Sequence, residues 1–321
     1  MQTLLDRRLV LVMGKGGTGK TTIAAALGLA AARRGRRTVV VEVAEQQRLL
    51  GLFGQGARET NRAQPAEPAA SRDHNEVELD GNLYGLSIDP RRAMEEWLRH
   101  QLRSGTLAGL LGGSRIFQLL TAAAPGVSEL VTMGKIWDLA QLERRTGGSV
   151  FDLAIVDAPA TGHGLALLRA PATYARIARA GPVARQAGRI DEFIRDPLTT
   201  AVVAAALPEE MPVAETLELE DLLAEDDMAL DAIVVNGLYP ERYGADDIGR
   251  LEMMDGRGSH KARAAFEAAL LEHRRAVSQR EQLHRLRKDA GATVSTLPFL
   301  FAPVLGRAEL DELSLLLEEA L

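Results

Sequence analysis

Short apolar runs rich in β-branched residues recur along the chain, separated by longer stretches with helical period. The runs are Leu9–Met13, Thr38–Val43, Leu83–Ile88, Phe151–Asp157, Thr199–Leu207, Leu230–Asn236 and Ala292–Leu297. They do not alternate apolar with polar residues, so they read as strands buried on both faces, as in a mostly parallel sheet. Helical patterns occupy Thr21–Arg34, Pro90–Arg103, Val127–Arg145, Pro212–Ala224, Lys261–Lys288 and Arg307–Leu321. Strands alternating with helices predict an α/β class, a doubly wound sheet flanked by helices, with its ligand at the carboxyl ends of the strands. One domain spanning 1–321 is expected, with a helical subdomain built from insertions at roughly 90–148 and 171–198. Residues 55–80 are polar, aperiodic and rich in Ala, Pro, Glu and Asn, and read as a mobile loop. No internal repeat is visible.

The first apolar run leads directly into Gly14-Lys15-Gly16-Gly17-Thr18-Gly19-Lys20-Thr21-Thr22. This fits G-x-x-x-x-G-K-[ST], the phosphate-binding loop, with a strand before it and an Ala- and Leu-rich helix after it. Glycines let the backbone curl around an anion so that successive N–H groups point at phosphates. The helix that follows presents its N-terminus to the same anion. Lys20 is expected on the β- and γ-phosphates and the Thr21 hydroxyl on Mg²⁺. A second candidate is Phe151-Asp152-Leu153-Ala154-Ile155-Val156-Asp157-Ala158-Pro159-Ala160-Thr161-Gly162-His163, a strand that ends in an aspartate before a Pro/Gly loop. An acidic residue there can hold Mg²⁺ or its waters, and the loop can sense a γ-phosphate. His163 has no second histidine or cysteine at ligand spacing, so a hydrogen-bonding structural role is preferred to a metal ligand.

Composition narrows the partners. The 321 residues carry a net charge of −6, and no basic block stands out, which argues against a nucleic-acid surface. The absence of cysteine rules out a cysteine-ligated iron–sulfur cluster, a CxxC zinc site and a thiol metalloid site. No uncharged apolar stretch reaches the length of about 18 residues that spans a bilayer, and the N-terminus lacks a signal-peptide pattern. A soluble cytoplasmic protein without an integral membrane segment is expected.

Lys15, directly after the first glycine, marks the deviant form of the loop. With it the chain resembles the arsenical-pump and tail-anchored-protein-targeting ATPases, and among them the bacterial members of unassigned role. Asp157-Ala158-Pro159-Ala160-Thr161-Gly162-His163 is similar to that family's second switch. Pro125-Gly126-Val127-Ser128-Glu129-Leu130, Leu165–Pro171 and Leu207–Thr216 resemble other family segments. Val234-Val235-Asn236 resembles the strand whose asparagine reads adenine, and Leu297-Pro298-Phe299 the adenine-side loop. The resemblance extends from Gly14 to about Arg307. It implies a nucleotide site formed by residues 14–22 with Asn236, Pro298 and Phe299, ATP and Mg²⁺ as cofactors, and Thr21 with Asp157 on the metal. It also implies a dimer, homomeric or with a paralogue, whose Lys15 contacts phosphates, often across the interface. Without the resemblance, Asn236-Gly237 reads as a turn.

The chain departs from the family at the first switch. Members carry D-P-A-H after the second strand, and that aspartate positions the attacking water. Here the stretch is Val41-Glu42-Val43-Ala44-Glu45-Gln46-Gln47, and gapless alignment on Phe53 puts Ala44 at the aspartate position. Glu42 and Glu45 are acidic neighbours; either, or neither, activates water, and Glu45 joins Lys15, Lys20 and Asp157 as the candidate catalytic set. Slow hydrolysis is therefore expected, with conformational cycling as the output. The alternative is a nucleotide-binding scaffold subunit that pairs with an active paralogue. The client is not legible: the regions 90–148 and 171–198 hold only Met94 and Met133, so no methionine-lined groove is visible. A membrane-positioning role is disfavoured by Glu309, Asp311, Glu312, Glu318 and Glu319 in the C-terminal amphipathic stretch.

Overall fold

The computed structural model describes residues 3–43, 48–54, 76–90, 92–94, 126–142, 150–178, 180–254 and 259–320. Ala44, Glu45, residues 55–75 and most of the 90–148 insertion lie outside the described residues.

The apolar runs form strands β1 (Leu9–Met13), β2 (Thr38–Val43), β4 (Leu83–Ile88), β5 (Leu153–Asp157), β6 (Thr200–Ala206), β7 (Ala232–Leu238) and β8 (Thr293–Pro298). With β3 (Val77–Asp80) they make an eight-stranded sheet in the order β3-β4-β2-β5-β1-β6-β7-β8. Every pairing is parallel except β3 on β4. The strand order reverses at β1, which lies between β5 and β6, and such a switch point opens a crevice at the carboxyl ends. β1, β2, β5 and β6 are buried at every position, which explains their unbroken apolar character.

The helices are α1 (Lys20–Arg33), α2 (Arg48–Phe53), α3 (Val127–Leu139), α4 (Thr161–Ile177), α5 (Pro182–Arg195), α6 (Glu210–Glu225), α7 (Ala245–Met254), α8 (His260–Asp289) and α9 (Arg307–Ala320). They cover both faces, and each face has its own apolar core. α1 is buried from Thr22 through Ala31, so small residues nearly all round it are what its position demands. α9 packs on α1 through Leu310, Leu313 and Leu317, at helical spacing. Arg33 donates to Ser314 Oγ at 2.8 Å, and Arg34 pairs with Glu318 at 3.0 Å. The apolar stripe of the C-terminal helix is thus used inside the fold. Among the described residues no helix is long and apolar enough to cross a membrane. Arg8 ties β1 to its neighbours by donating to the carbonyls of Ala140, Phe151 and Asp152.

Three expectations change. The polar segment 55–80 does not run unbroken to residue 80, because Val77–Asp80 pairs antiparallel with β4 around Gly81-Asn82. Asp-Gly beside an alternating run is a hairpin signal, and Gly81 has the positive φ of 51° that such a turn needs. The helical stretch read from 171 begins earlier. Pro171 lies within α4, which begins at Thr161 and continues because Leu165, Leu167, Leu168 and Ala170 are buried beside the proline. The helix read as Val127–Arg145 stops earlier: α3 ends at Leu139, and Ala140 closes it.

Candidate nucleotide-binding site

β1 delivers Gly14 at the switch point with a φ of 139°. A Cβ there would stand 2.3 Å from the Ala205 carbonyl oxygen of β6. Gly19, at φ 89°, is the N-cap of α1, and a Cβ on it would stand 2.2 Å from Asn236 Nδ2. Gly14 therefore sits where only a hydrogen fits, and Gly19 in a backbone conformation that L side chains rarely adopt. Thr18 is buried and donates its hydroxyl to the Lys15 carbonyl at 3.0 Å, closing the loop. The first helical bond runs from Ile23 N–H to Gly19 O at 2.9 Å. The N–H groups of Lys20, Thr21 and Thr22 precede it, as the donors that a helix N-terminus offers to an anion.

Lys20 folds back over the loop, and its Nζ donates to the carbonyls of Gly14 and Lys15, both at 3.0 Å. Burial lowers its pKa, against the pull of Asp157; the Arg48 charge lowers it further. Thr21 Oγ1 donates to Asp157 Oδ2 at 2.5 Å, bridging α1 and the end of β5. Burial pushes the Asp157 carboxyl up, opposed by the Thr21 hydrogen bond and by the charges of Lys20 and Arg48. Thr21 and Asp157 thus present adjacent oxygen donors. Among the described residues no group of three or more His, Cys, Asp or Glu could hold a metal. A magnesium site needs none, because Mg²⁺ is held by one or two protein oxygens plus phosphates and waters. The donor set fits.

A raised acid pKa means that the folded state holds the proton more tightly than the unfolded chain does. Stability from that group is then greatest below the unfolded pKa and falls as pH climbs through the folded one. Where Asp157 is ionised, its charge is a net cost to the nucleotide-free fold. Asp157→Asn should raise its Tm by a few degrees, about 1 kcal/mol, while removing Mg²⁺-dependent turnover. A lower Tm in a thermal melt without nucleotide would show that the Thr21 bond outweighs the burial.

Other expected site residues fall as follows. Asn236 lies beside Gly19 and donates Nδ2 to Thr18 O at 3.1 Å, which fastens β7 to the loop. Pro298 ends β8, and Phe299 N–H donates to Leu238 O at 2.9 Å. Phe299 is partly exposed and stacks on Tyr239 with ring centroids 4.5 Å apart. Phe301 stands edge-on to both rings. Tyr239 and Phe301 were not singled out in the sequence; an aromatic shortly after the Asn-Gly pair and another next to Pro298-Phe299 were the available signals. Lys15 pairs with Glu215 of α6 at 2.6 Å, a partly exposed contact of small net value, about 0–1 kcal/mol. Glu215 was also missed. Glu42 is buried, and its carboxylate accepts the Arg48 and Leu49 N–H groups at 3.0 and 3.4 Å. That places Glu42 as an anchor of α2 instead of a free base. His163 is exposed, with its N–H on Ala160 O at 2.9 Å.

Comparison with known proteins gives a concordant result. The anion-transporting ATPase family matches residues 7–187 and 177–259. The chain is 31% identical over 243 residues to the ATPase BagA of Mycobacterium tuberculosis, covering 76% of this chain and 68% of that protein. It is 25% identical over 279 residues to the ATPase GET3 of Kluyveromyces lactis, covering 76% of each. With the ATPase GET3 of Podospora anserina the identity is 23% over 284 residues, covering 77% of this chain and 78% of that one.

Proposed function

The chain belongs to the anion-transporting ATPase family, and on that premise we propose that it binds Mg·ATP and hydrolyses it slowly, cycling between nucleotide-dependent dimer states. One observation carries the reading. Lys20, the α1 N-terminus and the Thr21–Asp157 pair converge on one point at the carboxyl edge of the sheet. In this reading the loop N–H groups and Lys20 bind the β- and γ-phosphates. Thr21 and Asp157 hold Mg²⁺, which neutralises charge on the transferring phosphoryl group. Asn236, Pro298 and Phe299 border the adenine. The stacked rings of Tyr239 and Phe299 give that border a rigid apolar face.

Hydrolysis needs a water placed in line with the γ-phosphorus and a group that accepts its proton. Ala44 leaves the family's aspartate position without a carboxylate, and Glu42 is engaged with α2. Glu45 is the remaining acidic candidate in this stretch. Loss of a general base costs on the order of 10²-fold or more, hence the slow rate. Lys15, on a weak and partly exposed pair with Glu215, can leave it for a phosphate of its own or a partner subunit. The dimer is homomeric or formed with a paralogue, acts in the cytoplasm and serves a protein client. The Ala44 substitution also favours a second reading, a nucleotide-binding subunit that scaffolds an active paralogue.

The test joins kinetics and scattering. The purified chain should show a slow Mg²⁺-dependent rate that Glu45→Gln lowers further. Its small-angle scattering profile should differ between the ADP and ATP-analogue forms. A ligand shifts an equilibrium only by its differential affinity for two states, so identical profiles exclude nucleotide-driven cycling. No measurable rate favours the scaffold.

A further inference from the structure

A buried glutamate ties the segment after the first switch to the carboxylate on the metal side of the site. Glu42 stands opposite Asp157 in the β2–β5 register. Its carboxylate accepts the N–H groups of Arg48 and Leu49 and so fastens the first turn of α2. Packing fastens the rest of that short helix. Leu49 is buried, and its Cδ2 lies 3.2 Å from where a Cβ on Gly85 would stand, so it packs closely on the bare backbone of β4. Phe53 is buried as well. Arg48 therefore springs from a fixed backbone at the carboxyl edge of the sheet, and the residue itself is exposed there. Its charge bears on Lys20, Asp157 and Glu42 alike. Lys20 and Asp157 flank the position that the terminal phosphates would take.

We propose that Arg48 is a phosphate-contacting residue of this site: a cation from the chain's own α2 that meets the terminal phosphate of a bound nucleoside triphosphate, with Glu42 positioning it. The inference rests on the Mg·ATP reading above. The N–H groups at the start of α2 are occupied by Glu42, so the group of this segment that can turn to a phosphate is the Arg48 guanidinium. A planar fork suits phosphate oxygens, and charge-assisted bonds of this kind are among the stronger ones. The charge balance calls for such a group. Two buried carboxylates already stand at the sheet edge, and together with a triphosphate they carry more negative charge than Lys15, Lys20 and one divalent ion offset. A contact to the terminal phosphate also discriminates the triphosphate from the diphosphate, and so couples α2 to the nucleotide state.

The experiment is a calorimetric titration of the full chain with Mg·ADP and with a thiophosphate analogue of Mg·ATP that resists hydrolysis. It is run on the wild type, Arg48→Ala, Arg48→Lys and Glu42→Gln. Arg48→Ala should leave ADP affinity within about twofold and lower analogue affinity about tenfold or more, the scale of one hydrogen bond to a charged group. Arg48→Lys should recover part of that loss, because it restores the charge without the fork. Glu42→Gln should show a smaller loss with the same bias toward the triphosphate. Equal losses for both nucleotides, or no loss for the analogue, overturn the assignment. A wild-type chain that binds neither nucleotide overturns the Mg·ATP reading, and the Arg48 role falls with it.

Discussion

Lys20→Ala is expected to weaken binding of Mg·ATP and Mg·ADP by at least about 10²-fold while leaving the fold intact. In the nucleotide-free chain the Lys20 ammonium is half-buried and rests on two loop carbonyls, those of Gly14 and Lys15. Burial disfavours its charge, as the lowered pKa shows. A phosphate at the mouth of the loop would compensate the charge that burial disfavours, which is why the proposed role predicts a large loss. Each hydrogen bond to a charged group is worth roughly 1.5–3 kcal/mol, so losing a charge shared by two phosphates supports the stated factor. Removing a partly desolvated ammonium does not threaten the apo fold, and its Tm should stay close to that of the wild type. Lys20→Arg should not rescue, because a broad fork does not reproduce the point charge that rests on the Gly14 and Lys15 carbonyls. Calorimetry with both nucleotides decides the matter, and unchanged affinity would remove the phosphate-loop assignment. Lys15 provides the contrast. It is paired with Glu215 of α6, so Lys15→Ala should affect a single chain's binding far less.

Much of this site could be read in the chain because its parts are local. The loop, its strand and its helix are contiguous, and β1, β2 and β4 keep the limits that their apolar runs suggested. Asp157 follows the same logic, a carboxylate at the end of a buried strand. What escaped was of two kinds. The first was local structure with a misleading cue. β3 is four residues long at the end of a polar segment, and its Asp80-Gly81 turn was passed over. α4 contains Pro171 and opens on Thr161-Gly162, both of which read as a loop until its buried face overrides them. The second kind was long-range pairing. Glu215 meets Lys15 from 200 residues away, and nothing in either neighbourhood announces the other. Glu42 showed itself as an acidic residue in an apolar strand. Its two bonds to the start of α2 depend on how the chain returns after the first switch, which no periodicity encodes.

Gly14→Ala should be the most damaging added methyl among the described glycines, with an expected cost of more than about 3 kcal/mol. Two independent penalties act at this position. The φ of 139° lies where L side chains are strained, at roughly 1–3 kcal/mol. The new Cβ would also stand 2.3 Å from the Ala205 carbonyl oxygen, well inside van der Waals contact. That oxygen cannot retreat cheaply. It belongs to β6, which pairs with β1 through Met13–Ala204 and with β7 through Ala205–Val234, so moving it disturbs both ladders. Moving Gly14 instead shifts the loop that carries Lys20 and Thr21. Gly16 is the internal control: a Cβ there meets nothing within 4 Å and its φ is not in the strained region. Gly16→Ala should therefore change stability by less than about 0.5 kcal/mol, as a surface substitution does. The comparison separates geometry from composition, since both are loop glycines two residues apart and only the first occupies a fixed position of the motif. Thermal melts and ADP titrations of the two variants check it. A Gly14→Ala protein as stable as Gly16→Ala would mean that β6 does not close on the loop as described.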